Sequence, residues 1–240
     1  MKKTIPFLFF AVLLPSLALF DAGCAFSVCA EKSVAPRTAD RAFADNRFAA
    51  VSIRKVRIDD PTQILSYASG VFLGHGGLVL TNKHVALPPA LKAGTYQFRV
   101  CLMFGPALAP CLPAEVVAVS SDSDDLALLR TELPFQPPFL IRPDSEPMNE
   151  AEEVYARLGF SDLLPPSLVR GRFAGIDLRE DHALYDLPVM PGSSGGPVFD
   201  RQGRLVGLVD AYTLSEGRVL ADVIPARTIR RLLVIHDLFL

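Results

Sequence analysis

An all-β architecture, barrel or sandwich, closed by a single C-terminal helix is what this sequence predicts. Three observations carry that expectation. From Ala49 onward, short apolar runs recur at even spacing, separated by Gly, Pro and Asp, which is strand-and-turn punctuation. Several runs alternate apolar and polar residues, as half-buried strands do. Only the tail "PARTIRRLLVIHDLF" has helical spacing, starting near Pro225 and placing Ile229, Leu232, Leu233 and Ile235-His236 on one face. A chain of 240 residues, 50% hydrophobic, can bury the core of one large domain or two small lobes.

The elements follow in order. "MKKTIPFLFFAVLLPSLALF" has Lys2 and Lys3 and then an apolar stretch broken by Pro6 and Pro15, the pattern of a bacterial secretory signal over residues 1–30. Its end has two readings. Ala22-Gly23-Cys24 is similar to a lipoprotein box with Asp21 out of pattern, so a lipidated Cys24 would attach the protein to a membrane surface. Ordinary cleavage near Val28-Cys29-Ala30 is the rival, and it leaves an even pair of cysteines, Cys101 and Cys111. Residues 31–48 read as a tether. "AAVSIRKVRI" is a strand, and "SGVFLGHGGLVLTNKHV" is strand, turn and strand reversing at Gly74 to Gly77. "YQFRVCLMF", "AEVVAVS" and "DLALLRT" continue the theme. A Pro-rich seam near 134–147 divides the chain, giving lobes at about 49–140 and 147–224 and a helix at about 225–238. The second lobe holds "EEVYARLGF", "SLVRGRFAGIDL", "HALYDL", "GPVFD", "RLVGLVDAYTL" and "RVLADVI". In an exported protein Cys101 and Cys111, flanking "LMFGPALAP", close a hairpin as a disulfide; two buried free thiols are the alternative. A net charge of −2 offers no basic footprint for nucleic acid. No interior stretch of about 20 apolar residues occurs to cross a bilayer.

The chemistry concentrates in "PGSSGGPVFD", Pro191 to Asp200. A serine caged by glycines is either a plain turn or a nucleophile whose backbone must meet a substrate closely. A serine hydroxyl needs a base and an acid that orients the base. The histidines are His75, His84, His182 and His236. His84 ends the apolar run "LVLTNKHVA", a position at a barrel rim. In "SSDSDDLALLRT", Asp125 immediately precedes a buried-strand signature, whereas Asp122 and Asp124 face water. No His or Cys cluster supplies a metal site, and no cofactor is expected.

Together these stretches resemble the trypsin-like (chymotrypsin-fold) serine peptidases, most closely the bacterial HtrA-type branch. "LVLTNKHVA" is similar to its histidine motif, "DDLALL" to its aspartate motif, and "PGSSGGPVFD" to its nucleophile motif, in the family's order. "GRLVGLVD" and "ADVIPARTIRRLL" resemble its closing strands and helix. The resemblance implies two antiparallel six-stranded β-barrels with the site between them, and a serine endopeptidase acting on protein or peptide substrates in the periplasm or outside the cell. It implies Ser194 as nucleophile, His84 as general base and Asp125 as its orienter. Gly192 and Ser194 would donate the oxyanion-hole N–H groups, with Ser193 between them. Leu187, Pro188 and Val189 would form the floor of the substrate pocket, and Val209, Asp210, Ala211 and Asp222 its wall. If Asp210 or Asp222 pointed into the pocket, it would favour Lys or Arg; otherwise small or medium apolar residues are expected.

Two departures matter. The digestive branch has an aspartate where Ser193 stands, so activation through a freed N-terminus is not expected. The residues after Ser194 are taken up by closing strands and a helix, so no PDZ module is expected either. Two rivals remain. "GSSGG" fits the G-x-S-x-G elbow of α/β-hydrolases, which needs a helix starting at the serine. A silent or partner-activated barrel kept for binding is the other.

Overall fold

The computed structural model describes residues 46, 49–74, 76–87, 92–103, 111–121, 123–132, 140–146, 148–149, 152–158, 167–215 and 217–236. The expected signal, its cleavage sites and most of the tether lie outside these residues, as do His75 and Asp122.

In the first half the strands are β1 (Ala50–Arg57), β2 (Ile64–Phe72), β3 (Leu78–Asn82), β4 (Tyr96–Leu102), β5 (Cys111–Val119) and β6 (Leu126–Thr131). A one-turn helix, α1 (Lys83–Ala86), follows β3 directly. In the second half they are β7 (Glu153–Leu158), β8 (Ser167–Asp177), β9 (His182–Tyr185), β10 (Pro197–Asp200), β11 (Leu205–Ser215) and β12 (Arg218–Pro225), followed by α2 (Ala226–Ile235). Each half closes into an antiparallel barrel of six strands, β1-β2-β3-β6-β5-β4 and β7-β8-β9-β12-β11-β10. The strand order is the same in both, although the sequence carries no visible repeat. Closure leaves these sheets no free edge.

Turn chemistry sets the reversals. Gly74, Gly76 and Gly77 all have positive φ where β2 turns into β3, as the expected hairpin requires. At the β10–β11 reversal, Asp200 accepts from the Gln202 and Arg204 N–H groups, both at 2.9 Å, and Gly203 takes φ +77°. Cys101 and Cys111 face each other across β4 and β5 and form a disulfide. β2 begins at Ile64, five residues before the apolar run that marks it in the sequence, because its first half is only partly buried.

Three cores explain the apolar runs. Val51, Ile53, Phe72, Val79, Val100 and Leu129 fill the first barrel. Val154, Leu158, Tyr185, Val198, Val209 and Val223 fill the second. A third core joins the barrels: Val71, Leu78, Leu80, Leu126 and Leu128 pack with Phe199, Leu208, Ile224 and the α2 residues Ile229, Leu232 and Leu233. Strand β6 therefore buries both faces, alternately into its own barrel and into the interface, and reads as an unbroken run. On α2 the helical spacing is real but narrower than expected, because Ile235 falls off the buried face and is 76% exposed.

Candidate active site

His84, Asp125 and Ser194 line one cleft of about 480 Å³, with residues from both barrels in its walls. β3 ends at Asn82, and the chain turns at once into α1, which carries His84. The Lys83 N–H donates to the Asp125 carbonyl at 2.9 Å and fastens that turn to the start of β6. Asp125 has φ +42°, a conformation that costs a non-glycine residue on the order of 1 kcal/mol and recurs at functional sites.

The carboxylate grips His84 at two points. Asp125 Oδ2 is 2.6 Å from Nδ1, and Oδ1 accepts the His84 main-chain N–H at 2.9 Å. The hydrogen bond to Asp125 raises the imidazole above its usual pKa, against the opposing effect of burial. Burial alone would raise Asp125, but its hydrogen bonds with His84 and Asp210 outweigh it and hold the carboxyl below the usual range.

The serine loop is built by glycines and by the first barrel. The Ser69 N–H donates to the Ser194 carbonyl and the Ser69 hydroxyl to the Gly192 carbonyl, both at 2.8 Å. Gly195, at φ +80°, lies so close to β2 that a Cβ would sit 2.2 Å from the Ser69 oxygen. Its N–H donates to the Val209 carbonyl at 2.7 Å. Ser193 and Met190 lock together: the Ser193 N–H donates to the Met190 carbonyl at 2.9 Å, and the Met190 N–H donates to the Ser193 hydroxyl at 3.1 Å. Among the described residues, the Gly192 and Ser194 N–H groups have no protein acceptor. The Ser194 hydroxyl donates to the Asp210 carbonyl at 3.1 Å. Strand β10, not a helix, follows the serine, so the α/β-hydrolase elbow is absent.

Asp210 is the extra residue of a β-bulge, for Val209 pairs with Val223 while Ala211 pairs with Asp222. Its Oδ1 accepts from Asn82 Nδ2 at 3.2 Å. Burial first, and the neighbouring Asp125 second, push this carboxyl up to about 7. Beyond it lies a second histidine–carboxylate pair, buried, with His182 Nδ1 at 2.8 Å from Asp222 Oδ1. His84, Asp125 and Asp210 form one group of donor atoms within 4.8 Å of one another, and Glu180, His182 and Asp210 form another. Each histidine already closes on a carboxylate at hydrogen-bond distance, the geometry of His–Asp pairs.

Of the expected pocket residues, Val189, Val209, Asp210 and Ala211 line the cleft together with Met190, Pro191 and Tyr212. Leu187 is buried in the second barrel, Pro188 is exposed, and Asp222 is turned onto His182. Sequence reasoning missed His182, Asn82 and Met190; Asn82 stands within the histidine motif, but nothing there marks it as a partner of Asp210.

The trypsin-like peptidase domain matches residues 68–208, a span that holds His84, Asp125 and Ser194. This chain belongs to that family. Relatives of this chain include a probable periplasmic serine endoprotease DegP-like of Bartonella henselae, 29% identical over 174 residues, which cover 70% of this chain and 32% of that protein. Its namesake in Rhizobium meliloti is 30% identical over 165 residues, 66% of this chain and 31% of the relative. The chain thus spans about a third of the length of these relatives. Among solved structures, the serine endoprotease from Yersinia pestis superimposes with a TM-score of 0.66 at 22% identity, over 85% of this chain and 67% of that one. Deg5 does so at 0.63 and 19%, over 82% and 94%. These likenesses establish the two-barrel fold.

Proposed function

We propose that this chain is an exported serine endopeptidase that cleaves peptide bonds through an acyl-enzyme. The two-point grip of Asp125 on His84, 2.6 and 2.9 Å, in the cleft that also holds Ser194, carries the reading. A carboxylate on Nδ1 fixes the tautomer and leaves Nε2 to accept a proton. His84 then takes the Ser194 proton as Oγ attacks the carbonyl, and gives it to the leaving amine. The Gly192 and Ser194 N–H groups stabilise the oxyanion, and Ser193 braces their loop through Met190. Water releases the acyl group by the same route. This chemistry needs neither metal nor cofactor.

Apolar side chains suit the pocket. Val189, Met190 and Pro191 face Val209, Ala211 and Tyr212 around the cleft, and both neighbouring acids are engaged elsewhere, Asp210 with Asn82 and Asp222 with His182. Small or medium apolar residues are therefore the expected preference before the scissile bond. Export rests on the signal-like N-terminus and on relatives named periplasmic. The mass of the mature N-terminus distinguishes a lipidated Cys24 from cleavage after Ala30.

One observation favours a second reading, a partner-activated enzyme. The Ser194 hydroxyl donates to the Asp210 carbonyl, so its proton must turn to His84 before Oγ can react. Intact mass after fluorophosphonate treatment separates the two readings, with Ser194→Ala and His84→Ala as controls. Labelling that requires both residues is the expected result. A folded but unlabelled wild type sinks the competent resting site and leaves partner activation or a silent barrel.

A further inference from the structure

Asp210 stands between the two histidine–carboxylate pairs. Its Oδ1 lies 3.8 Å from His84 Nδ1, and its Oδ2 lies 3.9 Å from His182 Nδ1. One oxygen of its carboxyl also lies within 4.8 Å of an oxygen of the Asp125 carboxyl. Two carboxyl groups this close, in a cleft largely removed from bulk water, do not both ionise freely, and one of them holds a proton. Asp125 accepts from two N–H groups of His84 and is served as the anion. Asp210 receives one amide donor at 3.2 Å, and its side chain is 15% exposed. The proton therefore belongs on Asp210.

We propose that Asp210 is a positioning residue for the triad that works as a neutral acid, donating its O–H to the Asp125 carboxylate and so holding it on His84, and that its ionisation loosens this hold. The inference rests on the serine-peptidase reading. The surroundings support it from every side. Asp125 precedes β6, His84 lies on α1, His182 opens β9 with Glu180 two residues earlier, and Asp222 comes from β12. Lys55 on β1 adds a cation whose field reaches His84. Once ionised, Asp210 meets a like charge in Asp125, while His182 draws it toward β9. Burial and Asp125 push the Asp210 carboxyl up to about 7, so loss of its proton should weaken the peptidase on the alkaline side.

Two measurements test this separately from catalysis. Infrared spectra of Ser194→Ala should contain a protonated-carboxyl band at about pH 6 that fades by about pH 9 and is absent when Asp210→Asn is added. A band that is missing at about pH 6, or that survives Asp210→Asn, overturns the proposal whether or not the protein is active. In kinetics, kcat/KM of the wild type should fall on the alkaline side with a midpoint near the Asp210 ionisation. Asp210→Asn keeps a donor but cannot ionise, so it should lose that limb and only a few-fold in kcat. Asp210→Ala should lose about tenfold or more in kcat at every pH with KM nearly unchanged, the pattern of lost positioning. Identical pH profiles in all three proteins overturn the proposal. If fluorophosphonate leaves even the wild type unlabelled, the competent resting site fails, and the infrared result still decides the state of Asp210.

Discussion

A histidine serves as a general base only while its ring is neutral. Contact with Asp125 raises His84 above its ordinary 6.5, so turnover should climb with pH through a midpoint above that value. Asp125→Asn should shift the midpoint down and cost about 10⁴ in kcat, as an amide there favours the wrong tautomer. A pH–rate series on folded variant and wild type checks both expectations. Asp210 has a consequence for stability as well. Its folded pKa, about 7, lies above the ordinary 3.8. The neutral acid is thus favoured in the folded state, and its contribution, full below about 4, is lost as pH rises through 7. Asp210→Asn should flatten the urea midpoint across that interval, and an unchanged slope would refute the assignment. Gly195 makes a steric demand instead. Gly195→Ala would press a methyl against the Ser69 carbonyl and force a residue with a side chain into φ +80°. A loss of about 2–4 kcal/mol in denaturant unfolding is expected.

Elements matter here through what they hold in place. β6 packs Leu126 and Leu128 into the core between the barrels and Ala127 and Leu129 into its own barrel. The residue just before it is Asp125. Leu128→Ala should therefore cost about 2–5 kcal/mol and also reduce fluorophosphonate labelling, because the strand that carries the acid loses its seat. The Cys101–Cys111 disulfide joins β4 and β5 and is not part of the cleft lining. Replacing both cysteines by serine should lower stability by about 2–3 kcal/mol with labelling retained. A variant that keeps its stability but loses labelling would contradict that separation. Helix α2 seals the barrel interface with Ile229, Leu232 and Leu233, while Val234 and Ile235 remain exposed.

For the whole molecule, the core between the barrels includes residues of β2, β3, β6, β10, β11, β12 and α2, so neither barrel keeps its outer apolar face covered alone. Calorimetry should accordingly show one cooperative transition, and two resolved transitions would mean that the barrels fold independently. The strands were legible in the sequence because turn chemistry and apolar runs are local: Gly74 to Gly77, the reversal at Gly203, and the unbroken run in β6. His84, Asp125 and Ser194 were legible as candidates because each sits in a motif at a strand or loop junction. The direction of side chains around the cleft was not. Alternation along β11 assigns Asp210 to one face or the other, but the bulge between Val209 and Ala211 breaks that parity, and its carboxyl bonds Asn82 and comes within 4.8 Å of the Asp125 carboxyl. Asp222 likewise closes on His182, 40 residues away in sequence. By itself, then, the sequence determined the elements, their order and the candidate chemistry, since these depend on neighbours along the chain. Only the tertiary structure decided which acids meet which histidines, because closing two barrels against each other sets contacts that no local pattern encodes.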